Sequence, residues 1–285
     1  MPLSASTGLF GKIPALGDFL RVNAAAAPAP ALVEWLHAAQ DALARAGGAL
    51  PAGPIRFVLA GGAAPQALVG VLMPSRDKVG RTFPLCAFTG APVSPGLHAA
   101  CDAFAASAEA LLAGAATQDA PALTAGLRGL APLADATAAA AALAAEAGRR
   151  PAAELPGALF PELPAVAYAL GTLQRAVRAP RVMADCPAPD ACARWFWLEL
   201  ARRAAGVVPS CLWTAGRVLV APGLPGPGAL AALADAPRPP SDVWPLRTSA
   251  AAALQAALAG LPAAARAALE TGTAATLLER LGATR

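Results

Sequence analysis

Residues 67–88 have the sequence ALVGVLMPSRDKVGRTFPLCAF, a pattern typical of a β-hairpin. The apolar first part is rich in valine, and residues 82–88 return with phenylalanine and leucine. Between them, Pro74 cannot donate a hydrogen bond to a strand ladder, and Gly80 adopts a positive φ angle at little cost. The sequence therefore predicts two antiparallel strands joined by the polar loop 74–81.

This loop concentrates charge, since Arg76, Lys78 and Arg81 surround the single carboxylate of Asp77. Two interpretations remain open. In the first, Asp77 and Arg81 brace the turn and the other two cations are solvated. In the second, the three cations bind an anion, because arginine offers forked donors to phosphate or carboxylate and a turn adds backbone N–H groups.

The elements around the hairpin predict an α+β fold in which a mostly antiparallel sheet is flanked by helices. IRFVLA at residues 55–60 is a short apolar strand close to the hairpin, which favours a three-stranded meander. Residues 28–45 place large apolar side chains at helical spacing and predict a helix. Further helices are predicted over residues 95–116, 121–148, 165–178 and 191–205, and further strands over residues 209–214 and 218–221.

Proline-rich segments suggest how the chain is divided. Four prolines within residues 149–164 exclude a regular helix or a central strand there, so the segment is interpreted as a connector. We predict one α+β domain over residues 1–235, with a candidate internal break near 149–164, and a helical C-terminal extension over residues 236–285. Two amphipathic helices are expected in that extension. Pro187 and Pro189 are expected to mark a loop.

Composition excludes several classes of protein. The chain has 285 residues, and alanine inflates its hydrophobic fraction of 56%. A net charge of +4, without interleaved aromatic residues, does not favour nucleic-acid binding. No strongly apolar run reaches the length of a membrane span, and the N-terminus lacks the pattern of a secretory signal. Five irregularly spaced cysteines favour buried, reduced thiols and a cytoplasmic protein.

The sequence contains no pattern that identifies an enzyme. Its two histidines, His37 and His98, are far apart, and neither belongs to a group with metal-ligand spacing. There is no G-x-S-x-G nucleophile motif and no phosphate-binding glycine loop, and we expect no cofactor or metal. A hydrolase with Ser75 or Cys86 as nucleophile would need a general base, and neither residue has one nearby in sequence.

Two stretches resemble the signature motifs of the TagF (ImpM) family, accessory proteins encoded with bacterial type VI secretion systems. The similarity is close over residues 1–90, weaker over 91–222 and absent after about 235. The first family pattern, G-x-F-G-K-x-P-x-x-G-D-F, is matched by Gly8, Phe10, Gly11, Lys12, Pro14, Gly17, Asp18 and Phe19. The second, P-S-x-D-x-V-G-R-x-F-P-L, is matched by Pro74, Ser75, Asp77, Val79, Gly80, Arg81, Phe83, Pro84 and Leu85.

The resemblance implies a cytoplasmic, non-enzymatic regulator that acts after translation through protein–protein contacts. Members of the family repress assembly or firing of the secretion system, are associated with a forkhead-associated (Fha) scaffold component, and act in parallel with a threonine kinase and phosphatase pathway. The implied partners are therefore type VI secretion proteins. The alternative is an anion- or phosphopeptide-binding module built on the loop 74–81. Candidate interaction residues in the two motifs are Lys12, Asp18, Ser75, Arg76, Asp77, Lys78, Gly80 and Arg81.

Overall fold

A computed structural model describes residues 7–25, 27–60, 65–154, 162–179, 182–246, 248 and 250–282. Nine strands form one sheet in the order β2-β1-β5-β4-β3-β7-β8-β6-β9. All neighbouring strands are antiparallel except β6 and β9, which run parallel. The strands are β1 (Gly8–Gly11), β2 (Leu20–Val22), β3 (Ile55–Ala60), β4 (Gln66–Met73), β5 (Leu85–Pro92), β6 (Met183–Ala188), β7 (Ser210–Thr214), β8 (Gly216–Ala221) and β9 (Val243–Pro245).

The predicted hairpin is confirmed. Strands β4 and β5 pair antiparallel over their full lengths, with Met73 opposite Leu85. The return strand begins at Leu85 and not at residue 82, because the loop closes on itself before the ladder resumes. Within the loop, Arg76 and Thr82 form an isolated bridge. The predicted meander is also confirmed, since β3 pairs antiparallel with β4.

Helices cover the two faces of the sheet, as the α+β prediction requires. One face packs against α1 (Ala29–Arg45) and α8 (Ala229–Leu233). The other packs against a larger group of helices. These are α2 (Leu97–Ala100), α3 (Asp102–Ala113), α4 (Ala120–Gly126), α5 (Ala136–Ala147), α6 (Leu163–Ala176), α7 (Ala191–Ala205), α10 (Ala263–Thr271) and α11 (Ala274–Gly282); α9 (Ala251–Ala259) packs on α6.

The alternation of side chains along the central strands explains why both faces are covered. In β3, Phe57 and Leu59 point to the α1 side, whereas Val58 and Ala60 point to the other side. Successive residues of a strand face opposite sides of its sheet. A strand with apolar residues at both odd and even positions must therefore be buried on both faces. The apolar stripe of α1, including Leu32, Trp35, Leu36, Ala39 and Leu43, supplies the cover on the first side.

The helix α7 shows how local sequence sets the bounds of an element. The carboxylate of Asp190 accepts a hydrogen bond of 2.8 Å from the backbone N–H of Ala193 and caps the N-terminus. Arg202 and Arg203 lie in the last turn, where the helix dipole stabilises cations. Gly206 ends the helix with a φ angle of +75°. The predicted bounds of this helix are confirmed.

Three elements contradict the predictions from sequence. The segment with Pro187, interpreted as a loop, forms β6. Pro187 lies beyond the part of β6 that pairs with β9, so one side of the strand is open there and proline is tolerated. The proline-rich segment after residue 235 contributes the short strand β9, and α8 was not predicted at all.

The C-terminal segment contains three helices, not the two expected. After the break at residues 260–262, a second break at Gly272 and Thr273 separates α10 from α11. There the chain pairs with the end of the segment that follows α5, because Ala152 donates a backbone hydrogen bond to Gly272 and Ala274 donates one to Arg150. Part of the predicted connector, residues 155–161, lies outside the described residues.

No single helix in the described ranges is long and apolar enough to cross a membrane. The pair α9 and α10 reaches the required length and composition only when taken together, and it is bent by 107° at its break. All five cysteines are buried and none forms a disulfide.

Candidate interaction site

The fold brings the two sequence motifs into contact. β1 pairs with β5, so the segment after β1 lies beside the loop 74–81. The backbone N–H of Lys78 donates a 2.8 Å hydrogen bond to the carbonyl oxygen of Leu16. The guanidinium of Arg81 donates one of 2.6 Å to the carbonyl oxygen of Gly17. The motifs therefore form one structural unit, although more than 50 residues separate them in the sequence.

Asp77 holds this unit together. Its side chain is buried, and one carboxylate oxygen contacts both the ammonium of Lys12 at 3.0 Å and Nε of Arg81 at 2.6 Å. The other oxygen accepts hydrogen bonds from the backbone N–H groups of Val79 at 3.1 Å and Arg81 at 2.9 Å. A buried carboxylate needs such partners, since an unpaired one would carry a large desolvation cost.

These contacts determine the protonation state of Asp77. Burial by itself would raise the pKa of the carboxyl group. The hydrogen bonds from Lys12, Arg81 and Val79 outweigh burial and hold the pKa well below its ordinary value. Asp77 is therefore a carboxylate at neutral pH, and it neutralises the charge of Lys12, whose side chain is only 9% exposed.

The loop has a fixed backbone conformation. The N–H of Asp77 donates to the carbonyl of Arg81, and the N–H of Gly80 donates to the carbonyl of Asp77. Gly80 has a φ angle of +89°, which an L-residue rarely adopts. The N–H of Phe83 donates to the carbonyl of Ser75 and closes the loop. The prediction of a turn that requires glycine at position 80 is confirmed.

A second glycine, Gly11, lets the two motifs approach each other. Its φ angle is +142°, and a Cβ atom placed on it would lie against the carbonyl oxygen of Pro84 and 2.7 Å from Cα of Leu85. Only glycine fits such a close approach between backbones. The contact explains why the first motif carries glycine at this position.

An aromatic cluster lies beside the buried ion pair. Phe10 and Phe19 stack with their ring centres 5.3 Å apart, and Phe83 packs edge-on against both. His37 completes the cluster, 4.9 Å from Phe83, and it is half-buried. The Lys12 ammonium lies 5.3 Å from the centre of the Phe19 ring. His37 is thus a half-buried packing residue within an aromatic cluster.

The outer surface of the loop is exposed and cationic. Val79 is 70% exposed at the tip, and Arg76 and Lys78 are exposed beside it. Within the described part of the chain, neither of these two side chains has an ion-pair or hydrogen-bond partner. The side chain of Arg81 is 61% exposed although it pairs with Asp77. The loop therefore exposes an apolar residue surrounded by cations, and the buried network around Asp77 fixes its backbone.

The predicted site residues thus form two groups, and Ser75 and Asp18 lie outside both. Lys12, Asp77, Gly80 and Arg81 belong to the network that shapes the loop, as the turn-brace interpretation of Asp77 and Arg81 required. Arg76 and Lys78 lie on the outer surface. Ser75 is half-buried and contributes its backbone carbonyl to the loop. Asp18 is exposed, and its carboxylate accepts a hydrogen bond from the adjacent backbone N–H of Phe19.

Neither candidate nucleophile has the surroundings that catalysis needs. Cys86 is fully buried in β5, and burial raises the pKa of its thiol far above the ordinary value, so the reactive thiolate is disfavoured. No hydrogen bond connects Cys86 or the Ser75 hydroxyl to a histidine among the described residues. In the same ranges no group of three or more His, Cys, Asp or Glu side chains could hold a metal ion.

Comparison with known proteins identifies a family domain that contains both motifs. A family model described as the TagF N-terminal domain, type VI secretion system-associated, matches residues 8–130. Residues 8–130 therefore form a TagF N-terminal domain. The matched part contains both motifs, the network around Asp77 and the strands β1 to β5, so the unit built by the two motifs lies wholly within the TagF domain.

The crystal structure of PA0076 from Pseudomonas aeruginosa PAO1 is similar to this chain with a TM-score of 0.49. The two chains share 22% sequence identity, over 80% of this chain and 94% of that one. No curated protein matches this chain.

Proposed function

We propose that this protein is a cytoplasmic, non-enzymatic regulator of a type VI secretion system, and that it acts after translation through protein–protein contacts. The observation that carries the proposal is the exposed tip of the loop 74–81. A rigid loop with an exposed apolar residue among cations loses little conformational entropy on binding, which favours a contact surface. The cations would select a partner surface that is rich in carboxylates or phosphates.

The partner that the family resemblance favours is an Fha-type scaffold component, and the expected effect is repression of assembly or firing. A surface of this component that carries carboxylates or phosphates would match the cationic loop in charge. The buried and the exposed residues of the loop would have different roles. Asp77 and Lys12 would hold it in shape, and Arg76, Lys78 and Val79 would contact the partner.

The test is an affinity pull-down from the cytoplasm of the bacterium that encodes the chain, read by mass spectrometry. The bait is the tagged wild-type chain beside the double variant Arg76→Glu/Lys78→Glu. A matched control, Arg128→Glu/Arg280→Glu, reverses two exposed arginines elsewhere. We expect the wild type and the control to enrich an Fha-domain secretion component and the loop variant to lose it. Enrichment of no secretion component by the wild type would refute the proposed regulation.

A second candidate function is an anion- or phosphopeptide-binding module on the same loop. The observation that favours it is the absence of partners for Arg76 and Lys78 among the described residues. A ligand that binds only the folded state raises its melting temperature. We expect phosphate or a phosphothreonine peptide to raise the melting temperature of the wild type but not of Arg76→Glu/Lys78→Glu, at constant ionic strength. An equal shift in both proteins would exclude this candidate.

For the domain organisation, we propose one unit over residues 1–235 and an extension over 236–285. Support comes from the poor burial of α9, which has no buried residue. The packing of α11 on α7 favours an extension that is docked on the rest of the chain. Deletion of residues 236–285 should leave a folded protein with cooperative unfolding, and aggregation of the shortened chain would contradict the division.

A further inference from the structure

Arg194 is a buried cation in the first turn of α7. Only 7% of its surface is exposed, which is unusual for arginine unless a carboxylate accompanies it. No carboxylate lies within ion-pair distance of Arg194 among the described residues. A buried charge without a counter-ion is costly in free energy. The contacts of the loop 74–81 do not involve this arginine and do not offset that cost.

Only part of its hydrogen-bonding capacity is used within the chain. Nε donates to Nδ1 of His98 at 3.2 Å, and Nη2 donates to the carbonyl oxygen of the same residue at 3.4 Å. The guanidinium lies 4.8 Å from the ring centre of Trp213. A guanidinium has five N–H donors, so one on Nη2 and both on Nη1 remain without an acceptor among the described residues. These three belong to the terminal edge of the guanidinium, which pairs with carboxylates in a bidentate manner.

The surrounding groups do not neutralise the charge. Because Nδ1 of His98 accepts a hydrogen bond, its proton is on Nε2 and the ring is neutral. Burial, and then the positive charge of Arg194, lower the pKa of His98 to about 3. The carboxylates of Asp102 and Glu109 are both bound by Arg56, at 3.2 and 2.6 Å. Neither forms an ion pair with Arg194 among the described residues, and the nearby charge of Asp102 does not offset the burial that lowers the pKa of Arg194.

A cavity of about 450 Å³ adjoins this arginine. It lies between the N-terminal turn of α7, the segment before β3 and the turn that joins β7 to β8. Its volume is in the range of small-ligand sites. Residues that line it include Pro51, Pro54, Arg56, Arg194, Trp213 and Gly216. The walls are mostly apolar or backbone. Their two charged side chains are Arg56, which is paired with Asp102 and Glu109, and Arg194, which has no carboxylate partner among the described residues.

We propose that this cavity binds a carboxylate group through the terminal edge of Arg194. A carboxylate carries the single negative charge that would neutralise one arginine, and its two oxygens match the spacing of Nη1 and Nη2. Trp213 and His98 would keep the guanidinium plane fixed, so little side-chain freedom is lost on binding. The carboxylate could belong to a small dicarboxylate or to an acidic peptide segment, and both share this chemistry.

Isothermal titration with the full chain tests the proposal, with succinate and the peptide acetyl-Glu-Glu-Glu-amide as probes and chloride to hold the ionic strength constant. We expect saturable 1:1 binding of at least one probe. Tighter binding of the peptide would assign the carboxylate to a protein, and tighter binding of succinate to a small molecule. Absence of saturable binding of both probes would overturn the proposal.

Variants locate the site. Arg194→Lys keeps the charge but loses the bidentate edge, and Arg194→Met removes both, so each should weaken binding at least tenfold. Ala215→Glu places a carboxylate on the exposed turn at the mouth of the cavity without disturbing the buried pair, and it should also weaken binding. The control Arg175→Met removes an exposed arginine from α6 and should bind like the wild type. Equal binding by Ala215→Glu, Arg194→Lys and the wild type would refute the assignment.

Discussion

Replacement of Gly11 by alanine should destabilise the protein strongly, because this residue lies where the two motifs touch. Its φ angle of +142° is one that L-residues rarely adopt. The added methyl group would also meet two backbone atoms of the second motif, the carbonyl oxygen of Pro84 and Cα of Leu85. Backbone cannot rotate away as a flexible side chain can, so β1 and β5 would have to move apart.

The expected loss combines two costs. A non-glycine residue in a sparsely populated backbone region costs about 1–3 kcal/mol. An extra methyl group forced into a packed interior costs typically about 1–3 kcal/mol. Alanine recovers about 0.4–1 kcal/mol by restricting the unfolded chain. The net loss in the free energy of unfolding is therefore about 3 kcal/mol, which corresponds to a fall in melting temperature on the order of 10 °C.

Urea unfolding followed by circular dichroism measures this loss, and the same motif provides the control. Gly17 has no atom within 4 Å of the position that its Cβ would occupy and has no positive φ angle. Gly17→Ala should thus change the free energy of unfolding by less than about 1 kcal/mol. If Gly11→Ala were as stable as Gly17→Ala, the close contact between the motifs would not contribute to the fold as argued.

Four further substitutions test separate parts of the account. Asp77→Asn should lower the urea midpoint at pH 7. The difference in urea midpoint between the wild type and this variant should narrow as pH falls below 3.8, the ordinary pKa of aspartate. The lowered pKa of the folded protein stabilises the wild type above that pH, and this stabilisation is lost as the folded carboxylate is protonated. Gly80→Ala should cost only about 1–2 kcal/mol in urea unfolding, since φ is +89° but space is open. Trp197→Phe leaves the buried carbonyl of Pro187 without its 2.7 Å hydrogen bond and should cost about 1–3 kcal/mol in the same measurement. Val79→Asp should keep the wild-type melting temperature within about 2 °C yet reduce capture of the secretion component at least tenfold in a pull-down.

Local patterns in the sequence were sufficient to predict the elements of the hairpin and of α7. An apolar run with two valines and a return run with phenylalanine and leucine, around a polar turn, predict β4 and β5, and the bulky apolar side chains of residues 191–205 predict α7. β6 was missed because Pro187 normally argues against a strand, and its tolerance depends on where the neighbour β9 ends. That end is set by long-range pairing, which a local pattern does not contain.

The site was predictable only in part for the same reason. The charges of the loop suggested a contact between Asp77 and Arg81, which are four residues apart. The ion pair of Asp77 with Lys12 spans 65 residues and forms because β1 pairs with β5. The bond between Arg194 and His98 spans 96 residues, and no motif signals it. A sequence can identify the residue types of such pairs, but their contact depends on the order of strands in the sheet.

Site-specific photo-crosslinking in cells tests the central claim that the loop 74–81 contacts the secretion machinery. A photoreactive residue replaces Val79 at the exposed tip, and a control chain carries it at Ala252, an exposed position on α9. We expect a covalent adduct with a type VI secretion component from position 79 and none from position 252. Adducts with that component from position 252 alone would contradict it and would place the partner surface on the C-terminal helices.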